Sequence, residues 1–209
     1  PWGQSLPVFK KDPAPVLQVL ETLKADPSLY VRKSVANNLN DIAKDHPQLV
    51  LQIASSWIGT HRDTDWIVRH ACRTLIRKAD PAALALFGYA EEDQGEPVAV
   101  SASIEAKPAA LKLGDSCELL YELRIREGEP ARIRVEYGIY FVKAKGSTSR
   151  KLFLLSDKTV PGGSHVSGQR THRFADLTTR KHYPGEHRMV LLVNGVEVAE
   201  TSLLLEERV

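Results

Sequence analysis

EEDQGEPVAVSASIEA, Glu91 to Ala106, is the stretch where the periodicity of this chain changes. Its first seven residues are acidic and include Gly95 and Pro97, which interrupt regular structure. The remainder alternates apolar with small polar side chains, the period of two that turns one face of a β-strand inward. Upstream, residues 13–87 keep apolar side chains at three- and four-residue spacings, the period of amphipathic helices. Downstream, VAVSASIEA, CELLYELRI, RIRVEYGIYFVKA, KLFLLS, THRFADL, HRMVLLV and VEVAETSLLLE read as seven short strands in about 115 residues, which argues for a β-sandwich. Asn194-Gly195 between two of these runs is a type I′ hairpin signal, because both turn positions need positive φ.

The helical half is punctuated by prolines at Pro13, Pro15, Pro27, Pro47 and Pro81, with Asp12, Asp26 and Asp80 placed to cap. Helices are expected near residues 13–25, 28–45, 47–58, 64–79 and 81–87. Val31-Arg32-Lys33-Ser34-Val35 aligns with Val68-Arg69-His70-Ala71-Cys72, residue 31 on residue 68, an offset of 37, which sets Leu39 opposite Ile76. Helix pairs recurring at about 40 residues are the mark of HEAT-like solenoids. A free-standing helical bundle is the alternative. The expected fold class is therefore multidomain α + β: an N-terminal all-α domain of HEAT-like helical repeats over residues 1–92, and a C-terminal all-β Ig-like sandwich over residues 93–209.

Composition narrows the function classes. With 28 Lys+Arg against 26 Asp+Glu the formal charge is +2, too balanced for charge alone to announce a nucleic-acid binder, so any basic surface is local. Cys72 and Cys117 lie in halves of different character, which suggests neither a disulfide framework nor a metal cluster. No window approaches the roughly 18 consecutive apolar residues of a membrane helix, and the start PWGQSLPVFKKDP is not that of a signal peptide. A cytoplasmic monomer without membrane attachment is expected, and the start at Pro1 in mid-phrase reads as a fragment of a longer protein. Phosphate-loop, dinucleotide-fingerprint, CxxC and HExxH patterns do not occur, so no cofactor, nucleotide or metal is expected. His165, His172, His182 and His187 lack ligand spacing and read as scattered surface histidines.

On a wheel of 100° per residue, Val31, Val35, Leu39 and Ile42 share the core face of the second helix. Lys33, Asn37, Asp41 and Lys44 form a ridge away from it, with Asn40 at its border. A carboxylate on such a ridge would be oriented by its neighbours and held ionised, but the pattern alone favours a plain solvated face with i, i+4 pairs. In DTDWIVRHACRTLIRK, Val68, Ala71, Cys72 and Leu75 turn inward and Trp66, Arg69, His70, Arg73 and Arg77 outward. An indole among arginines suits phosphate contact with stacking on a base or sugar, and packing of Trp66 on the next helix is the competing account. Two segments read as flexible basic loops: KAKGSTSRK, with Lys143, Lys145 and Arg150, and PGGSHVSGQRTHR, with Arg170. They could grip a phosphate backbone or be ordinary solvated hairpin loops.

The phrases YVRKSVANNLNDIAKDHPQLV and DWIVRHACRTLIRKADPAALALFGY, with PWGQSLPVFKKDP upstream, resemble the DNA alkylation repair glycosylases built of HEAT-like repeats, most of all the AlkC branch, some of whose members carry a C-terminal Ig-like domain. The match of phrases covers residues 1 to about 90; for the rest it rests on architecture. The resemblance implies excision of N3-alkylated bases such as 3-methyladenine from alkylated duplex DNA by cleavage of the N-glycosidic bond. It implies Asp41 as the carboxylate that stabilises an oxocarbenium-like sugar and Trp66 packing on that sugar. Lys33, Asn37, Asn40, Lys44, Arg69, His70, Arg73 and Arg77 would contact DNA, and so would Lys143, Lys145, Arg150 and Arg170 of the β-domain. The alternative is a non-enzymatic DNA-binding or protein-interaction scaffold. An Ig-domain adhesion protein is disfavoured by the absence of paired cysteines.

Overall fold

Acidic caps and proline starts set the helical boundaries, and a computed structural model describes residues 6–93, 95–176 and 181–207. Asp12 accepts from the Ala14 N–H at 3.0 Å and Asp80 from Ala83 at 3.0 Å, donors that the first turns of two helices leave over, while Asp26 accepts at 2.7 Å from Ser28, the residue just before the next helix. The helices are α1 Pro7–Lys11, α2 Ala14–Leu23, α3 Leu29–Ile42, α4 Pro47–Trp57, α5 Arg62–Ala71, α6 Arg73–Arg77 and α7 Pro81–Leu86. The strands are β1 Ala99–Lys107, β2 Ala110–Lys112, β3 Ser116–Ile125, β4 Ala131–Val142, β5 Thr148–Val160, β6 His165–Arg173, β7 Gly185–Val193 and β8 Val196–Glu206. The chain divides into two compact units, Pro1–Phe87 and Gly88–Val209.

The expected fold class is corrected here. Instead of an all-α half of regular HEAT-like repeats joined to a separate Ig-like sandwich, the described residues hold seven short helices and two sheets. The longest helix, α3, has 14 residues, while α1 and α6 have 5 each and α7 has 6. A HEAT-like repeat needs paired helices long enough to bury a continuous face against the next pair. Here the expected helix 64–79 breaks at Cys72 (φ −84°, ψ 4°), and Ala79 (φ 54°) and Gly88 (φ 66°) reverse the chain. What holds the helices is a small common core of Val35, Leu39, Ala54, Trp57, Ile67, Val68, Ala71, Cys72 and Leu84. The Trp57 indole is buried and donates to Glu21 at 2.8 Å.

In the second unit the strands form a three-stranded sheet, β1-β3-β6, and a five-stranded sheet, β2-β8-β7-β4-β5. All pairs are antiparallel except β2 with β8. Alternate residues of the facing strands fill the core: Cys117, Leu119, Leu123 and Ile125 from β3 meet Ile133, Val135, Tyr137, Ile139 and Phe141 from β4 and Met189 and Leu191 from β7. Each such apolar side chain contributes about 1.5–3 kcal/mol by leaving water. Asn194 (φ 50°) and Gly195 (φ 84°) both take positive φ at the β7–β8 turn, as the sequence led one to expect. Asn194 also reaches out of its turn: its Oδ1 accepts from Arg134 N–H at 2.7 Å and its Nδ2 donates to Ala90 O at 2.7 Å. Tyr89 is held in the same unit by donating to Asp157 at 2.7 Å.

Two further expectations change. The sandwich has eight described strands, because β2 is too short to show a period, and β6 begins at His165 rather than near residue 171. Much of PGGSHVSGQRTHR is therefore a strand paired along β3, and only its start is a turn. The histidines are the second change: His172, His182 and His187 are buried and ring Phe141 and Phe174 with centroids 5.0–6.0 Å apart, leaving only His165 of the four exposed. An imidazole ring packs as an aromatic, which a wheel or a ladder pattern scored by polarity does not register.

Candidate nucleic-acid interface

The ridge begins with the register of α3. Val35, Ala36, Leu39 and Asn40 face the core, so Lys33, Asn37 and Asp41 recur at i, i+4 along the other side. Lys33 and Asp41 are exposed and Asn37 is half-buried, while Asp41 accepts from Lys44 Nζ at 2.6 Å. This pair is solvated, with side-chain exposures of 57% for Lys44 and 54% for Asp41.

At the junction of α5 and α6 one cation of the second row, Arg73, meets that ridge. Arg73 Nη2 donates to Asn37 Oδ1 at 3.1 Å and its Nη1 to the His70 carbonyl at 2.5 Å. One residue on, Thr74 Oγ1 donates to Asn40 Oδ1 at 2.8 Å. The two asparagines of α3 thus hold two consecutive residues at the start of α6. The His70 imidazole lies flat against Trp66, centroids 5.1 Å apart and planes within 9°, and Trp66 keeps 37% of its surface exposed. Burial, and then the charges of Arg73 and Lys33, push the His70 pKa down, so the ring is neutral in this cationic setting. Burial also lowers Arg73, as does Arg77, against the opposing pull of Asp41. Lys33, Asn37, Asp41, His70 and Arg73 are therefore one electrostatic neighbourhood.

Other anticipated residues are placed differently. Asn40 is 4% exposed and serves Thr74 rather than the surface. The Arg69 guanidinium covers the Phe87 ring at 5.3 Å. Arg77 is exposed at the end of α6. In the sandwich, Lys143 and Lys145 stand exposed at the β4–β5 turn, which is closed by Lys143 N–H to Ser147 O at 2.8 Å. Arg150 lies on β5 and is committed to Glu197 at 2.7 Å, within a cluster where Arg188 also pairs with Glu197 and both cations flank Tyr140. Arg170 lies on β6 opposite Leu119, in a ladder and not in a loop. The second unit thus presents a basic hairpin tip rather than two basic loops.

Residues 100–207, from the start of β1 to the end of β8, match the family described as Uncharacterised protein YhaZ, C-terminal Ig-like domain. The chain belongs to that family. The match extends beyond the Ig-like domain of YhaZ: the chain is 46% identical over 195 residues to Uncharacterized protein YhaZ of Bacillus subtilis, covering 93% of this chain and 53% of that protein. It is also similar to the Pseudomonas fluorescens alkylpurine DNA glycosylase AlkC, whose structure was solved bound to DNA containing an abasic site analog. There the TM-score is 0.88 with 38% identity, over 99% of this chain and 56% of that one. The chain spans about half the length of these relatives. Within this YhaZ-family chain, sequence reasoning missed Thr74, whose partner lies 34 residues away, and the two roles of the asparagines. The one local hint was their spacing: residues 37 and 40 sit on the flank of α3 next to its apolar stripe, where a polar side chain reaches a neighbouring helix.

Proposed function

We propose that this chain is part of a DNA repair glycosylase that excises N3-alkylated bases of the 3-methyladenine type. The observation that carries the reading is the similarity, at TM-score 0.88 and 38% identity along 99% of the chain, to an alkylpurine DNA glycosylase captured on DNA. The ridge is chemically suited to the task. An alkylated base leaves as a neutral molecule from a cationic nucleoside, so positive charge shifts onto the deoxyribose as the N-glycosidic bond lengthens. A carboxylate beside the anomeric carbon stabilises that charge and orients the attacking water. Asp41 is that carboxylate in this reading, Trp66 with His70 packs against the sugar, and Lys33 and Arg73 take the flanking phosphates. Lys143 and Lys145 add a further phosphate contact from the sandwich.

The test is release of 3-methyladenine from methylated duplex DNA by the 209-residue chain, with the Pseudomonas relative as positive control. Asp41→Asn is expected to lower release by about 100-fold or more while duplex affinity stays within a factor of a few. Equal release by wild type and Asp41→Asn would remove Asp41 from the chemistry. A second reading, a scaffold that grips DNA without chemistry, has one observation in its favour: Asp41 is solvated and paired with Lys44. It predicts that wild type frees no base and that Asp41→Asn leaves DNA binding intact or tightens it.

A further inference from the structure

We propose that Asn37 is a positioning residue: it acts through Arg73, fixing that guanidinium in one orientation so that, beside Lys33, it reads a phosphodiester oxygen. This rests on the DNA reading above and assigns Asn37 away from direct DNA contact.

Three observations carry it. Arg73 has two anchors, a local one to the His70 carbonyl at 2.5 Å and a remote one to Asn37, 36 residues away, at 3.1 Å. A guanidinium carries five N–H donors, and the two anchors take one from each terminal nitrogen. Among the described residues Arg73 makes no other hydrogen bond, so its three remaining N–H donors are open to a phosphate.

The second observation is the break at Cys72. Were α5 to run on unbroken, the side chain of residue 73 would follow the straight helical course of Arg69. The turn at Cys72 instead starts a new helix at Arg73, and the Asn40 to Thr74 bond at 2.8 Å secures the residue next to it. Arg69, one turn earlier, is spent on Phe87. The cation that points at the α3 ridge is therefore Arg73.

The third is charge. Arg73 and Lys33 both bear on His70, and Asp41 bears on Arg73, so the positions of these groups converge on one patch. Holding an arginine there in advance removes the side-chain ordering cost from the binding step. Asn37 supplies this because a neutral carbonyl oxygen orients a guanidinium without cancelling its charge, as a carboxylate at the same place would.

Two measurements on the 209-residue chain test this. In the free protein, NMR of the arginine side chains is expected to show Arg73 Nη protons in restricted rotation, and Asn37→Ala is expected to release them. In titrations with a short duplex across a salt series, Arg73→Ala is expected to reduce the salt slope by about 1. Asn37→Ala is expected to weaken affinity about three- to ten-fold with the wild-type slope, and to have no effect when Arg73 is already Ala. Should Asn37→Ala fail to fold, Arg73→Lys tests the same contact: it keeps the charge and loses the guanidinium, so affinity falls and the slope stays. The inference is overturned if Arg73 rotates freely in the wild type, if Asn37→Ala weakens binding equally without Arg73, or if Arg73→Lys binds as wild type. A wild-type chain with a held Arg73 that binds no duplex overturns the DNA reading and the phosphate half of the inference together, and the NMR result identifies that case.

Discussion

Gly162 shows how single positions constrain this sandwich. A Cβ built there would lie 2.1 Å from the Gly128 carbonyl oxygen, a backbone atom with nowhere to go. Gly162→Ala is expected to destabilise by at least about 1–3 kcal/mol, read as a drop in the urea midpoint without a change in slope. An unaltered midpoint would mean that the two turns are free to separate. At this scale the sequence was legible where the requirement is local: Asn194-Gly195 announces positive φ by residue type alone. It was opaque at Gly162, whose need for a bare Cα arises from a turn 34 residues earlier (162 − 128). The same holds for Asn37 and Asn40, which look like surface polar residues until α6 is set beside them.

Among the elements, the α5–α6 bend is where local propensity and tertiary contact disagree. WIVRHACRTLIRK has an uninterrupted helical pattern, with neither glycine nor proline to mark a stop, yet the helix ends at Ala71 and restarts at Arg73. Cys72 keeps its backbone bonds on both sides, N–H to Val68 O at 2.9 Å and its carbonyl accepting from Ile76 N–H at 3.0 Å, and the cross-helix bonds to Asn37 and Asn40 fix the residues that follow it. Removing one of them tests this: Thr74→Val keeps the shape and leaves the buried Asn40 oxygen without its hydroxyl donor, at an expected cost of about 1–3 kcal/mol by chemical denaturation. A loss under about 0.3 kcal/mol would show that the bend is set by packing alone. The strands were more legible than the helices' continuity, because alternation survives wherever one face is buried. β2 was invisible: three residues make too short a run, and its parallel pairing with β8 is a long-range fact.

For the whole molecule, the separation into a helical part and a strand part follows from the change of period, but the solenoid expectation does not. An internal repeat of one five-residue phrase is compatible with any pair of helices packed side by side, and α3 with α5 is such a pair. Stability as a function of pH is also a property of the whole. His187 is fully buried, with Val142 N–H donating to Nδ1 at 3.3 Å and Nε2 facing Tyr183 O at 3.0 Å, so the neutral ring is the form that fits. Burial depresses its pKa below the unfolded value of about 6.5. The unfolded chain therefore binds the proton more readily, and this contribution to stability, present above that pH, is lost as the pH falls below it. Denaturation midpoints are expected to fall between about pH 7 and pH 5.5, and the fall is expected to be shallower in His187→Asn. Matching slopes in the two proteins would assign the acid sensitivity to other groups.

The parallel alignment of β2 on β8 also decides how the sandwich answers a pull. Ala110, Leu111 and Lys112 run in the same direction as Leu204, Leu205 and Glu206, so drawing residue 110 and residue 206 apart along the strands loads their ladder sideways. Rungs arranged in that way share tension and yield together, whereas an antiparallel hairpin pulled at its open end gives way one rung at a time. The three rungs from Ala110 to Lys112 therefore fasten β8 in shear, where the hairpins beside them would open by peeling.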